Sequence, residues 1–118
     1  MGTSDYLFIA SMDVDRDHDR LLNEVYDSEH LPNLIKVPGV RAAVRFRKIA
    51  GQITIGGATQ PIASDGAPIY HVLYTIEQPD VLTSEAWARA VEQGRWPGQV
   101  RPYTTNRRQL PLERLDGE

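Results

Sequence analysis

The chain has 118 residues, 41% hydrophobic and 25% charged, which is the make-up of one globular domain with a real core and excludes global disorder. Its formal net charge of −3 argues against a nucleic-acid-binding domain. The absence of cysteine removes disulfides, thiolate nucleophiles and cysteine-based metal sites, and no apolar run approaches the ~20 residues that span a bilayer.

Met1-Gly-Thr-Ser-Asp5 has neither the basic region nor the apolar core of a secretory signal, so a cytoplasmic location is expected and a membrane partner is not. Tyr6 to Met12 is a short apolar run of strand formers and is predicted as the first strand. The acidic stretch Asp13 to Asp19 follows, in which Asp15 or Asp17 can cap a helix. Leu21, Leu22, Val25 and Tyr26 then recur at helical spacing. Pro32 has no N–H to give the Ser28 carbonyl, so the helix kinks or restarts there, and Val37-Pro38-Gly39 ends it.

From Val40 to Ile49 the residues alternate, with Val40, Ala42, Val44 and Phe46 on one face and Arg41, Arg45 and Arg47 on the other. Residues 50–68 hold four glycines and two prolines after Ala50, which predicts a long exposed hairpin connection with room for a small ribbon. Ile69 to Ile76 is the third strand. Thr83 or Ser84 caps a second helix with Leu82, Ala86, Trp87, Ala90 and Val91 as its stripe and Gly94 as its stop. A loop over 95–102 contains Trp96, a weaker fourth strand runs from Tyr103 to Leu110, and 113–118 is expected to fray.

The order β-α-β-β-α-β over a single domain, residues 1–118, predicts an α+β ferredoxin-like fold: one four-stranded antiparallel sheet with two helices on one face. The other face is left bare and must be covered, most simply by a second copy of the chain.

Tyr26 and His30 lie four apart and so share a helix face, with Leu22 a turn before and Leu34 a turn after. An imidazole with an ordinary pKa near ~6.5 is suited to acid/base work; alternatively its ring bonds a backbone carbonyl and locks the kink at Pro32. Tyr26 either buries its ring and exposes its hydroxyl or donates to a substrate oxygen. Glu29, one step round the helix, is expected to face solvent. Arg45 is either an ion-paired edge residue or a bidentate anchor for an anionic substrate under the helices. His71 and Tyr74 fall on opposite faces of their strand, so at most one of them lines the same pocket. Trp87 packs the core or borders the pocket. Trp96 pins its loop or walls a flat ligand.

No metal or cofactor is expected. Asp13, Asp15, Asp17 and Glu24 imitate a calcium loop in spacing, but His18 stands where an EF-hand needs glycine, and a strand precedes the stretch instead of a helix. His18, His30 and His71 are scattered, and no glycine-rich phosphate loop, dinucleotide fingerprint or serine elbow occurs.

The Tyr26-x3-His30-x-Pro32 element, the Val37-Pro-Gly-Val40 turn into an arginine-bearing strand, and Tyr70-x3-Tyr74 followed by Gln78-Pro-Asp80 resemble the dimeric α+β barrel superfamily, nearest its small EthD-like and uncharacterised members, over about Tyr6 to Leu112. The resemblance implies a homodimer with two sheets face to face and one pocket per subunit. Its members include cofactor-free monooxygenases, cyclases, isomerases, dehydratases and haem-using enzymes, so the fold alone does not select a reaction. A histidine at the position of His30 is common among them, and cyclase relatives combine tyrosine with histidine, which keeps both His71 and Tyr74 as candidates.

The expected function is a cofactor-independent enzyme moving protons on a hydrophobic aromatic or polyketide-like carbonyl compound, as an isomerase, lyase or cyclase. His30 and Tyr26 are the catalytic candidates; Arg45, His71, Tyr74, Trp87 and Trp96 are the substrate-binding ones. A cofactor-free monooxygenase of a phenolic substrate and a non-catalytic ligand-binding dimer are the alternatives.

Overall fold

In the computed structural model, which describes residues 6–115, the chain runs β1 (Tyr6–Val14), α1 (Asp19–Val25), α2 (Leu31–Ile35), β2 (Val40–Arg47), β3 (Gln52–Ile55), β4 (Ala58–Pro61), β5 (Tyr70–Ile76), α3 (Glu85–Ala90) and β6 (Thr104–Glu113). Four strands form an antiparallel sheet in the order β2-β5-β1-β6. With α1, α2 and α3 on one face, this is the ferredoxin-like protomer that the element order predicts.

The predicted first helix is one rod in three parts. Between α1 and α2 lies a π-helical turn, Tyr26–His30, in which the Leu31 N–H donates to the Tyr26 carbonyl. Pro32 sits just beyond it, so the irregularity comes before the proline as well as at it. Ser84 caps α3 by accepting from the Trp87 N–H at 3.1 Å, while Pro79–Thr83 ahead of it is a 3₁₀ turn. The predicted loop around Trp96 is ordered into a second π-helical turn, Trp96–Val100, and a 3₁₀ turn, Arg101–Tyr103.

The 50–68 connection carries the β3–β4 ribbon, turned by Gly56 and Gly57 at φ +63° and +82°. Only glycine adopts two such values in succession without strain. The last strand is longer than expected: Glu113 pairs with Tyr6, so fraying does not begin at 113, and the final residues, 116–118, lie outside the described part.

Alternation divides the sheet into two faces. Phe8 and Met12 from β1 and Val72, Tyr74 and Ile76 from β5 are buried against Leu22, Val25, Leu34 and Val100, each large side chain contributing about 1.5–3 kcal/mol. On the other face Leu7 and Ile9 stand between Leu112, Leu110, Thr75 and Leu73, with Val44 beside Leu73. There Val44, Phe46, Leu110 and Leu112 are 48%, 55%, 51% and 39% exposed in the single chain. This is a broad apolar surface of the kind that marks an interaction face.

Candidate active site

A cavity of about 350 Å³ lies between the helices and the inner face of the sheet. Tyr26, His30 and Leu34 enter it from the first helical rod, Phe8 and Tyr74 from the sheet, Trp87 from α3 and Trp96 from the turn that follows. The π-helical turn has Tyr26 at its start and His30 at its end, both buried.

The Trp96 ring stacks on the His30 imidazole, centroids 4.2 Å apart and planes within 14°. Tyr26 meets both rings edge-on, at 5.1 Å from His30 and 4.8 Å from Trp96. Phe8, Tyr74 and Trp87 form the opposite group, with Phe8 stacked on Tyr74 at 5.7 Å and Trp87 edge-on to both. Trp87 is thus both core and cavity wall, and Trp96 both pins its turn and faces the cavity.

The Trp96 turn is fastened by the residue expected to face solvent. Glu29 accepts from the Arg95 backbone N–H at 2.9 Å and from Arg95 Nε at 2.6 Å, and Glu24 takes Arg95 Nη1 at 3.1 Å. The Arg95 hydrogen bonds hold the Glu29 carboxyl below its usual pKa. Gly94, at φ +69°, makes this contact possible, because a Cβ there would lie 2.5 Å from Glu29 Oε1.

His30 is 4% exposed, and its Nδ1 has no hydrogen-bond partner. Burial pushes its pKa down to about 4, helped by the positive charge of Arg101 and opposed by Glu92. The imidazole is therefore neutral at pH 7. Nδ1 does not bond a carbonyl to lock the kink. Tyr26 and Tyr74 hydrogen-bond to each other through their hydroxyls, and burial raises both phenol pKa values, so both remain donors at neutral pH.

Two expectations need correction. Arg45 does reach under the helices, but its guanidinium is engaged within the protein: Nη1 donates to Asp27 at 2.7 Å and Nη2 to Asn23 at 2.6 Å. It also lies 4.9 Å from the Tyr26 ring centroid, against the far side of the cavity wall, and does not line the cavity. His71 faces away from the cavity. Ser11 Oγ lies 2.7 Å from its Nδ1 and the Pro68 carbonyl 2.9 Å from its Nε2; the carbonyl can only accept, so Nε2 carries the proton and Nδ1 accepts from the serine. Both ring nitrogens are thus used in holding the end of the 50–68 connection. Of the two β5 residues, Tyr74 is the one at the cavity.

Sequence reasoning missed the arginines that line the cavity: Arg101, Arg107 and Arg108. A signal was present, since of two adjacent arginines in a strand alternation turns one toward the helices.

No protein-family model matches the chain, and no curated protein matches it. Solved structures do. One is an arginine-to-serine variant of MhuD with two manganese protoporphyrin IX bound per active site, 17% identical with a TM-score of 0.62 over 94% of this chain and 96% of that one. Another is the haem-degrader MhuD of Mycobacterium tuberculosis with two haems in its active site, 18% identical, TM-score 0.59, covering 94% and 97%. A third is an ethyl tert-butyl ether degradation (EthD) family protein of Bacillus halodurans, 13% identical, TM-score 0.58, covering 93% and 99%. At these identities the likeness shows the fold alone, an α+β ferredoxin-like protomer built on a four-stranded antiparallel sheet.

Those neighbours raise the question of haem. A metal-bound histidine nearly always gives its other ring N–H to an acceptor. Among the described residues the only imidazole lining the cavity is His30, whose Nδ1 is buried without a hydrogen-bond partner. Tyr26 and Tyr74 are buried phenols with raised pKa values, poorly disposed to become phenolate ligands. The donor set does not fit a resident haem.

Proposed function

With the α+β barrel fold as scaffold, we infer that this cavity is the active site of a small, cofactor-independent enzyme that moves a proton on a flat, hydrophobic aromatic or polyketide-like carbonyl compound. The observation that carries the reading is a buried, neutral His30 beside two hydrogen-bonded phenols inside an aromatic cavity. His30 is the proton carrier. An imidazole that is unprotonated at pH 7 can take a proton without first losing one.

The Tyr26–Tyr74 pair stabilises the charge that develops on the substrate oxygen. Deprotonation beside a carbonyl or on a phenol leaves an oxyanion. In the pair one O–H donates to the other phenol, and the remaining O–H, fixed in a desolvated site, stabilises the oxyanion more than water does because it needs no reorganisation. Trp87, Trp96 and Phe8 bind the flat body of the substrate. As a base His30 starts weak, at a pKa of about 4, and an anion bound close by raises it toward working pH. Isomerisation, lyase cleavage and cyclisation all share this proton-transfer core.

The homodimer belongs to the same proposal. The exposed Val44, Phe46, Leu110 and Leu112 form the surface a second sheet would cover.

The test uses 1,3-diketones and acyl naphthols as probes, with deuterium uptake at the acidic carbon followed by NMR and binding followed by tryptophan quenching. His30→Asn is expected to slow exchange by about 10²–10⁴-fold with binding little changed. A probe that binds and exchanges equally fast in both proteins would remove His30 from catalysis. Oxygen uptake during turnover would instead indicate the monooxygenase alternative.

A further inference from the structure

Among the described residues, three guanidinium groups and no carboxylate line the cavity of a protein whose formal net charge is −3. They are not equivalent. Arg101 is engaged: it donates to Glu92 at 2.9 and 3.1 Å and to the Val91 carbonyl at 2.6 Å. Arg108 donates to the Gly66 carbonyl at 3.3 Å. The Arg107 side chain makes no hydrogen bond or ion pair with any described residue. It lies on β6 two residues before Gln109, which pairs with Ala10 on the inner face of the sheet. Its charge is felt at the Tyr26 hydroxyl, whose pKa it lowers against the larger effect of burial.

We propose that Arg107 is the anion seat of this site, and that the ligand is a flat aromatic or polyketide-type carboxylate, its ring among Phe8, Trp87 and Trp96 and its carboxylate on the Arg107 guanidinium. The assignment rests on the proposed function for the location of the pocket, and it adds the charge of the ligand and the residue that reads it. A guanidinium without a partner among the described residues, at an aromatic cavity that no described acidic residue lines, is complementary to a planar carboxylate, which it can hold through two parallel N–H donors. The seat also acts on the reaction. A carboxylate bound there offsets the positive field around His30 and makes the imidazole a better proton acceptor when ligand is present.

The experiment compares 2-naphthoate with its neutral isostere 2-naphthamide. Quenching of Trp87 and Trp96, the two tryptophans of the chain, reads binding directly. Wild-type protein is expected to bind naphthoate at least about tenfold more tightly than naphthamide, the effect of one charge-assisted hydrogen-bonded pair. Arg107→Gln is expected to abolish that preference and leave naphthamide affinity unchanged. Arg89→Gln, which removes an arginine from an exposed pair on α3, is expected to retain it. Equal affinity for the two ligands in wild-type protein would overturn the seat and leave the acid/base pocket standing. A preference for naphthoate that survives Arg107→Gln would overturn the choice of residue. Failure of both ligands to quench would refute the pocket itself, and the seat with it.

Discussion

Replacing His30 by asparagine isolates what burial of that imidazole contributes to stability. Unfolded, the group titrates near its ordinary 6.5; folded, it titrates at about 4. The folded protein therefore binds fewer protons than the unfolded chain between those values, and the sign follows from linkage. The contribution is fully present above about pH 6.5 and is lost as pH falls toward 4. At about 1.36 kcal/mol per pH unit the ceiling is about 3.4 kcal/mol, of which about 2 kcal/mol is gone by pH 5 and about 3 kcal/mol by pH 4. Asparagine cannot titrate. The difference in unfolding free energy between wild type and His30→Asn, measured by urea unfolding at fixed protein concentration, should therefore move by these amounts against the wild type between pH 8 and pH 4. Acid-sensitive carboxylates that His30 does not touch electrostatically, such as Glu29, contribute equally to both proteins and cancel. NMR of the labelled imidazole should show it unprotonated at pH 5.5. A difference that stays constant with pH would refute the assignment of a buried, neutral His30.

The apolar outer face gives a second prediction: the protein sediments as a homodimer, and Val44→Glu or Leu110→Glu yields monomer or aggregate. A folded wild-type monomer at micromolar concentration would contradict it. Gly94→Ala is expected to cost about 1–2 kcal/mol from backbone conformation alone, with a further loss because its Cβ strikes Glu29 Oε1. Trp96 emission should shift to the red as its turn loosens, and an unchanged spectrum and melt would count against the Glu29 clamp.

The strands and the topology were legible because periodicity is local. The alternation from Val40 to Phe46 identifies the outer face that carries Val44 and Phe46, and Ser84 marks a real helix boundary, whereas α3 ends at Ala90, short of the expected stop at Gly94. Val40 itself is the exception, since a bulge between Val40 and Ala42 places it opposite Ile76 on the inner face. Tyr26 and His30 could be brought to one place from spacing alone, while the choice of Tyr74 over His71 as their neighbour could not. What could not be read was which arginine is left unpaired. Arg45 and Arg107 look alike in sequence, and only tertiary contacts show that Asp27 and Asn23 occupy the first and no described residue occupies the second. His71 was ambiguous for the same reason, because Ser11 lies sixty residues away. Glu29 was misplaced because helical spacing describes one helix and is blind to the Arg95 turn that docks against it.

The three contacting rings of Tyr26, His30 and Trp96 share one origin in backbone register. Tyr26 opens one π-helical turn, His30 closes it, and Trp96 opens the other; in each turn a carbonyl is bonded five residues ahead, from Leu31 to Tyr26 and from Arg101 to Trp96. A π-helical turn amounts to one residue inserted into an α-helix, and each residue of an α-helix turns the chain by about 100°. Removing a single residue, Ser28 for instance, would restore a regular helix and swing His30 round the axis relative to Tyr26. The placement of His30 against Tyr26 is thus tied to a one-residue insertion, a kind of change that a lineage can gain or lose in a single step while its sheet stays as it was.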